Sequence, residues 1–77
     1  MALSRDQAFG ATVKAIRQER GLSQEAAALA ARIDRAYYGK VERGLKSPTL
    51  GTVWKFSDGL GIRPSELLAR TERLLNE

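Results

Sequence analysis

Apolar and polar positions recur along this chain with a helical period. Ser4 and Gln7 form a capping-box pattern, and Phe9, Val13 and Ile16 then follow at i, i+4 and i+7, predicting a first helix. Gly21 is its expected stop, a residue suited to the left-handed turn that ends helices. Ser23 caps the run QEAAALAAR, whose alanines combine high helix propensity with room for a close neighbour. Asp34 is the expected cap of a third helix running through Arg43, with Gly44 ending it. Thr49, just after Pro48, opens a fourth helix through about Leu60, followed by Gly61. Pro64 at a first helical position opens a fifth, SELLARTERLL, with Leu67, Leu68, Leu74 and Leu75 apolar. Nothing alternates with period two over a useful length, so no sheet is expected. Five short helices with short connections predict a compact all-α fold and one domain, residues 1–77.

The second and third helices form the informative pair. Only about two residues separate them, so they must meet at a sharp angle, as in a helix-turn-helix spanning about residues 23–43. Ile33 lies in that turn, and Val41 is a candidate core residue. On the third helix Arg35, Ala36, Gly39 and Lys40 fall at i, i+1, i+4 and i+5, a stripe left free for a partner. An α-helix fits the major groove of B-DNA, where an arginine fork donates to guanine O6 and N7. Gly39 removes a side chain from that stripe, which would bring the backbone close to a groove wall.

Charge sharpens this picture. The 77-residue chain carries a formal charge of +4, unevenly placed. Arg32, Arg35, Lys40, Arg43 and Lys46 stand against only Asp34 and Glu42 between residues 32 and 46. Most of the excess therefore lies on the third helix and the loop after it. A local basic patch is the electrostatic footprint of a nucleic-acid binder.

Composition narrows the chemistry. The chain has no cysteine and no histidine, which removes disulfides, thiolate metal sites, the commonest metal ligand and the commonest general base. An enzyme, a metal site and a cofactor are not expected. Neither a membrane-length apolar run nor a cationic-then-apolar leader is present in the sequence, so a cytoplasmic protein without a membrane partner is expected. A chain of this size buries only about 60–65 % of its unfolded surface, so its core is thin and self-association would help it.

The stretch from GLSQEAAALAAR to GLGI resembles the helix-turn-helix domain of the Cro and phage-repressor type, the XRE family. The resemblance rests on Gly21, Leu22, Ser23, Gln24, Glu25 and Ala28, then Val41, Glu42 and Gly44, with SPTL at 47–50 and GLGI at 59–62. It extends from about residue 10 to 68. I-D-R-x-Y with E-R-G in so short a chain is most similar to the controller proteins of restriction-modification systems. The resemblance implies a five-helix lambda-repressor-like domain acting as a transcriptional regulator. It implies base contacts from Arg35, Ala36, Gly39 and Lys40. Ser23 and Gln24, at the start of the second helix, and Tyr37, Arg43 and Lys46 are the implied backbone contacts. Arg17 and Glu42 match a structural ion pair bridging the first and third helices. Two residues depart from the family pattern. Arg32 stands where the turn glycine is usual, which implies a non-glycine residue in a left-handed conformation, and Tyr38 replaces a smaller aliphatic.

Several residues have competing structural readings. Tyr37 is read as a phosphate or sugar contact over packing, and Tyr38, Phe9 and Phe56 as core. Trp54 reads as core or dimer interface. One recognition helix makes few base contacts, while specific regulators reach about 10⁻⁸–10⁻¹¹ M, so a homodimer on a pseudo-palindromic operator is expected. The net-acidic, leucine-rich region of about 50–75 is the expected interface, with Trp54, Leu67, Leu68 and Leu74. Two alternatives share the fold: an antitoxin whose main partner is a toxin protein, and a pure protein-interaction module. The basic stripe argues against the second. No pocket-forming element suggests a small-molecule ligand.

Overall fold

Each of the first four helices begins at a side chain that caps it. In the computed structural model, which describes residues 2–76, α1 (Arg5–Glu19) starts at Ser4 with a complete capping box. Ser4 Oγ accepts from the Gln7 N–H at 3.0 Å, and Gln7 Oε1 accepts from the Ser4 N–H at 2.9 Å. Ser23 caps α2 (Gln24–Ala31), Asp34 caps α3 (Arg35–Glu42) and Thr49 caps α4 (Leu50–Leu60) in the same way. Only α5 (Pro64–Leu75) lacks a capping side chain; Pro64 starts it instead, by its fixed φ and missing N–H. The described residues contain no strand.

The first four helices also end alike. Gly21, Arg32, Gly44 and Gly61 all have positive φ. In each case the next residue's N–H reaches back five positions, as in Ile33 to Ala28 O at 2.9 Å and Ile62 to Ser57 O at 3.0 Å. Arg32 is the exception in kind: at φ 57° and ψ 42° it holds a left-handed conformation that costs an L-residue about 1–2 kcal/mol. The second helix therefore stops at Ala31, one residue earlier than its run of good helix formers predicts, and Arg32 makes the turn.

Packing then joins the pieces. Phe9, Val13 and Ile16 of α1, Ala27, Ala28 and Ala31 of α2, Tyr38 and Val41 of α3, and Val53, Phe56 and Leu60 of α4 form one core, closed by Leu67 of α5. Phe56 is its centre: Phe9 meets it edge-on at 5.7 Å between centroids, and the tilted Tyr38 ring lies at 4.8 Å. Glycines permit the two tightest crossings. A Cβ on Gly10 would overlap the carbonyl oxygens of Val41 and Glu42, and one on Gly59 would overlap the Ala31 backbone. Thus α1 seats the end of α3, and α4 seats the end of α2. Arg20 Nε donates to Leu60 O at 2.6 Å across the α1–α4 gap, while Arg70 ties α5 to Glu19 through two hydrogen bonds.

The expected dimer face needs one correction. Leu67 is fully buried inside its own chain, so it has no surface to offer a second copy. Its place on α5 points it at the shared core, whereas Leu68, the next residue, is 41 % exposed. Trp54 is 49 % exposed, which removes it from the core, and Leu74 is half-buried. Leu50 and Leu75, also exposed, extend the apolar strip.

Candidate nucleic-acid interface

The third helix is held from behind by a buried carboxylate. Glu42, on the inner face of α3, accepts from Arg17 Nε at 2.6 Å and from Arg17 Nη2 at 3.1 Å, a bidentate fork. The same guanidinium donates through Nη1 to Leu22 O at 2.9 Å, fixing the segment between α1 and α2. The Glu42 contact raises the Arg17 pKa, the hydrogen bond outweighing desolvation, so its charge is permanent. Gln24 completes the cluster by donating from Nε2 to Glu42 Oε1 at 2.8 Å. One carboxylate therefore binds α1, the start of α2 and the end of α3 into a single rigid frame.

On the outer side of that frame lie cations with no partner. Arg35, Ala36, Lys40, Arg43 and Lys46 are exposed. Among the described residues no carboxylate comes within ion-pairing distance of Arg35, Lys40, Arg43 or Lys46. Arg35 and Ala36 occupy the first turn of α3, just after the Asp34 cap, whose carboxylate accepts from the Tyr37 N–H at 3.1 Å. Tyr37 is half-buried and packs against the core edge, so only part of its ring faces outward. Ser23 is exposed, its Oγ accepting from the Ala26 N–H at 3.0 Å.

Gly39 does not sit where its spacing put it. It is buried, because Gln24 and Arg43 lie over it. A Cβ at Gly39 would be 3.4 Å from Arg43 Nη1 and 3.5 Å from Gln24 Oε1. A base edge meets those two side chains at this place instead of the glycine backbone. The missing methyl makes room for neighbours from α2 and from the next helical turn. Helical spacing along α3 alone carries no information about what α2 lays across it.

These features define a class: an all-α, lambda-repressor-like domain with a helix-turn-helix at α2 and α3. The helix-turn-helix family model matches residues 13–67, and the chain belongs to that family, of the XRE type. It is 41 % identical over 66 residues to control protein C.MunI of a Mycoplasma species, covering 84 % of this chain and 89 % of that one. The restriction-modification controller protein C.AhdI from Aeromonas hydrophila superposes with a TM-score of 0.78 at 39 % identity, covering 80 % of this chain and 94 % of that one. The controller protein C.Esp1396I, solved as a tetramer with its natural 35 base-pair operator, shares the fold. Its TM-score is 0.90 at 21 % identity, covering 97 % of this chain and 99 % of that one. The relatives are regulators, not enzymes. The antitoxin alternative draws no support from them. Among the described residues no helix is long and apolar enough to cross a membrane, and no three His, Cys, Asp or Glu residues are grouped to hold a metal ion.

Proposed function

We propose that this chain is a sequence-specific transcriptional regulator, of the controller type found in restriction-modification systems, that binds a pseudo-palindromic operator as a homodimer in the cytoplasm. The observation that carries the reading is the row of unpaired cations on a helix held rigid by Glu42. Four positive side chains without carboxylates are poised to replace the counterions of a phosphate backbone. Arg35, Ala36 and Lys40 face base edges, with Arg35 donating to guanine and Ala36 offering a methyl to thymine. Ser23, Tyr37 and Lys46 meet the backbone and fix the register.

Two copies would join through the strip of α4 and α5 bearing Leu50, Trp54, Leu68, Leu74 and Leu75. Leu68 borders two shallow grooves there, one beside Trp54 and Pro64 and the other beside Val53 and Leu75. A two-fold dimer would present its two α3 helices to half-sites about 34–36 Å apart. Binding to duplex DNA measured by fluorescence anisotropy should weaken steeply with salt. A dimer placing two phosphate-contacting cations on each half-site gives a log–log slope of magnitude about 4. A flat dependence would sink the reading. Sedimentation equilibrium should show a dimer that Trp54→Ala weakens, and a strictly monomeric protein at all concentrations would remove the two-fold model.

A further inference from the structure

The cluster that holds α3 also sets the face that Gln24 presents. An amide side chain is ordinarily free to turn over, exchanging its donor and its acceptor. Here it is not, because Glu42 is paired twice with Arg17 and is therefore an ionised acceptor that needs an N–H opposite it. Turning the amide would place Oε1 against a carboxylate. The nitrogen is thus committed to the buried side, and Oε1 is the amide atom nearer the seat above Gly39, at 3.5 Å against 3.9 Å for Nε2. The Arg43 guanidinium lies on the other side of the same seat, with Nη1 at 3.4 Å. An acceptor and a donor therefore flank one vacant position on the outward surface of the helix-turn-helix.

Phosphate is a poor match for that pair, since its oxygens would meet the Gln24 carbonyl oxygen acceptor to acceptor. Guanine is poor for the same reason, because O6 and N7 are both acceptors in the major groove. Adenine offers N6–H as donor and N7 as acceptor, side by side. Taking the regulator reading above as its basis, the geometry points to a composite adenine reader, in which Gln24 Oε1 accepts from N6–H and Arg43 donates to N7. Gln24 and Arg43 then move from the backbone-contacting set to the base-reading set. Glu42 becomes a positioning residue for specificity as well as for the fold.

The test starts from an operator selected out of random duplex by the full chain. Each adenine in it is replaced singly by purine, which lacks the 6-amino group, and affinities are measured by anisotropy. At one adenine per half-site the wild type should lose about tenfold, the range of one good base contact. Gln24→Met, which keeps the volume but not the acceptor, should lose less than twofold more on the same replacement. With 7-deazaadenine at that position, Arg43→Ala should be as insensitive. Circular-dichroism melts of both variants check that each is folded. Gln24→Met weakening selected and random DNA equally would make Gln24 a backbone contact and overturn the inference. Coupling of Gln24 to a cytosine N4 would overturn the adenine assignment. A selection that enriches no sequence would instead overturn the regulator reading itself.

Discussion

Arg17 and Glu42, 25 positions apart, face each other across the α1–α3 contact with side chains only 11 % and 2 % exposed. Removing either one leaves the other charge with its solvent already excluded. Arg17→Ala or Glu42→Ala should therefore cost roughly 3–5 kcal/mol in chemical denaturation. The double variant should lose clearly less than the sum, because no charge is then stranded. Additive losses would mean that the two residues act independently of each other.

Arg32 offers the opposite experiment. Its left-handed backbone at the end of α2 is the geometry that glycine adopts without a Cβ clash. Arg32→Gly should raise stability by about 1 kcal/mol, or roughly 4–8 °C in Tm for a domain of this size. Arg32→Val, branched at Cβ, should lower it. A glycine variant that melts at or below the wild-type temperature would show that the turn is unstrained.

The Tyr38 hydroxyl is buried and finds no hydrogen-bond partner among the described residues. Burial, and then the charge of Glu42, push its pKa well above that of a free phenol, so it stays protonated at every working pH. An unmet buried polar group costs about 1–3 kcal/mol, and Phe keeps the ring against Phe56. Tyr38→Phe should accordingly be neutral or stabilising by about 1 kcal/mol in urea denaturation. A clear loss would show that the hydroxyl is satisfied by bound water.

Arg35 and Lys46 should fail differently when changed. Arg35 leaves the first turn of α3, and its fork can hold guanine O6 and N7 together, which a lysine cannot. Arg35→Ala should cost about 1–3 kcal/mol per half-site on the selected operator and far less on random DNA. Arg35→Lys should keep the non-specific binding and lose much of the discrimination. Lys46→Ala should weaken both DNAs alike, because a phosphate contact carries no sequence. Equal losses for operator and random DNA in Arg35→Ala would leave it a phosphate contact only.

The helix boundaries were legible in the sequence because they are set by chemistry within four or five residues. Ser4, Ser23, Asp34 and Thr49 each bond to an N–H three positions on, and three glycines stop three helices by local backbone freedom. The turn at Arg32 and the Arg17–Glu42 pair were legible through the family resemblance, which supplies what spacing cannot. Tertiary structure alone decided which faces meet. A leucine repeat on α5 marks an apolar face but does not say that Leu67 closes the core while Leu68 is left outside it. Nor does the spacing on α3 show that α2 lays Gln24 over Gly39, or that Glu42 forbids its amide to turn. Those outcomes depend on the order in which three helices stack around one buried carboxylate, and local propensity does not encode that order.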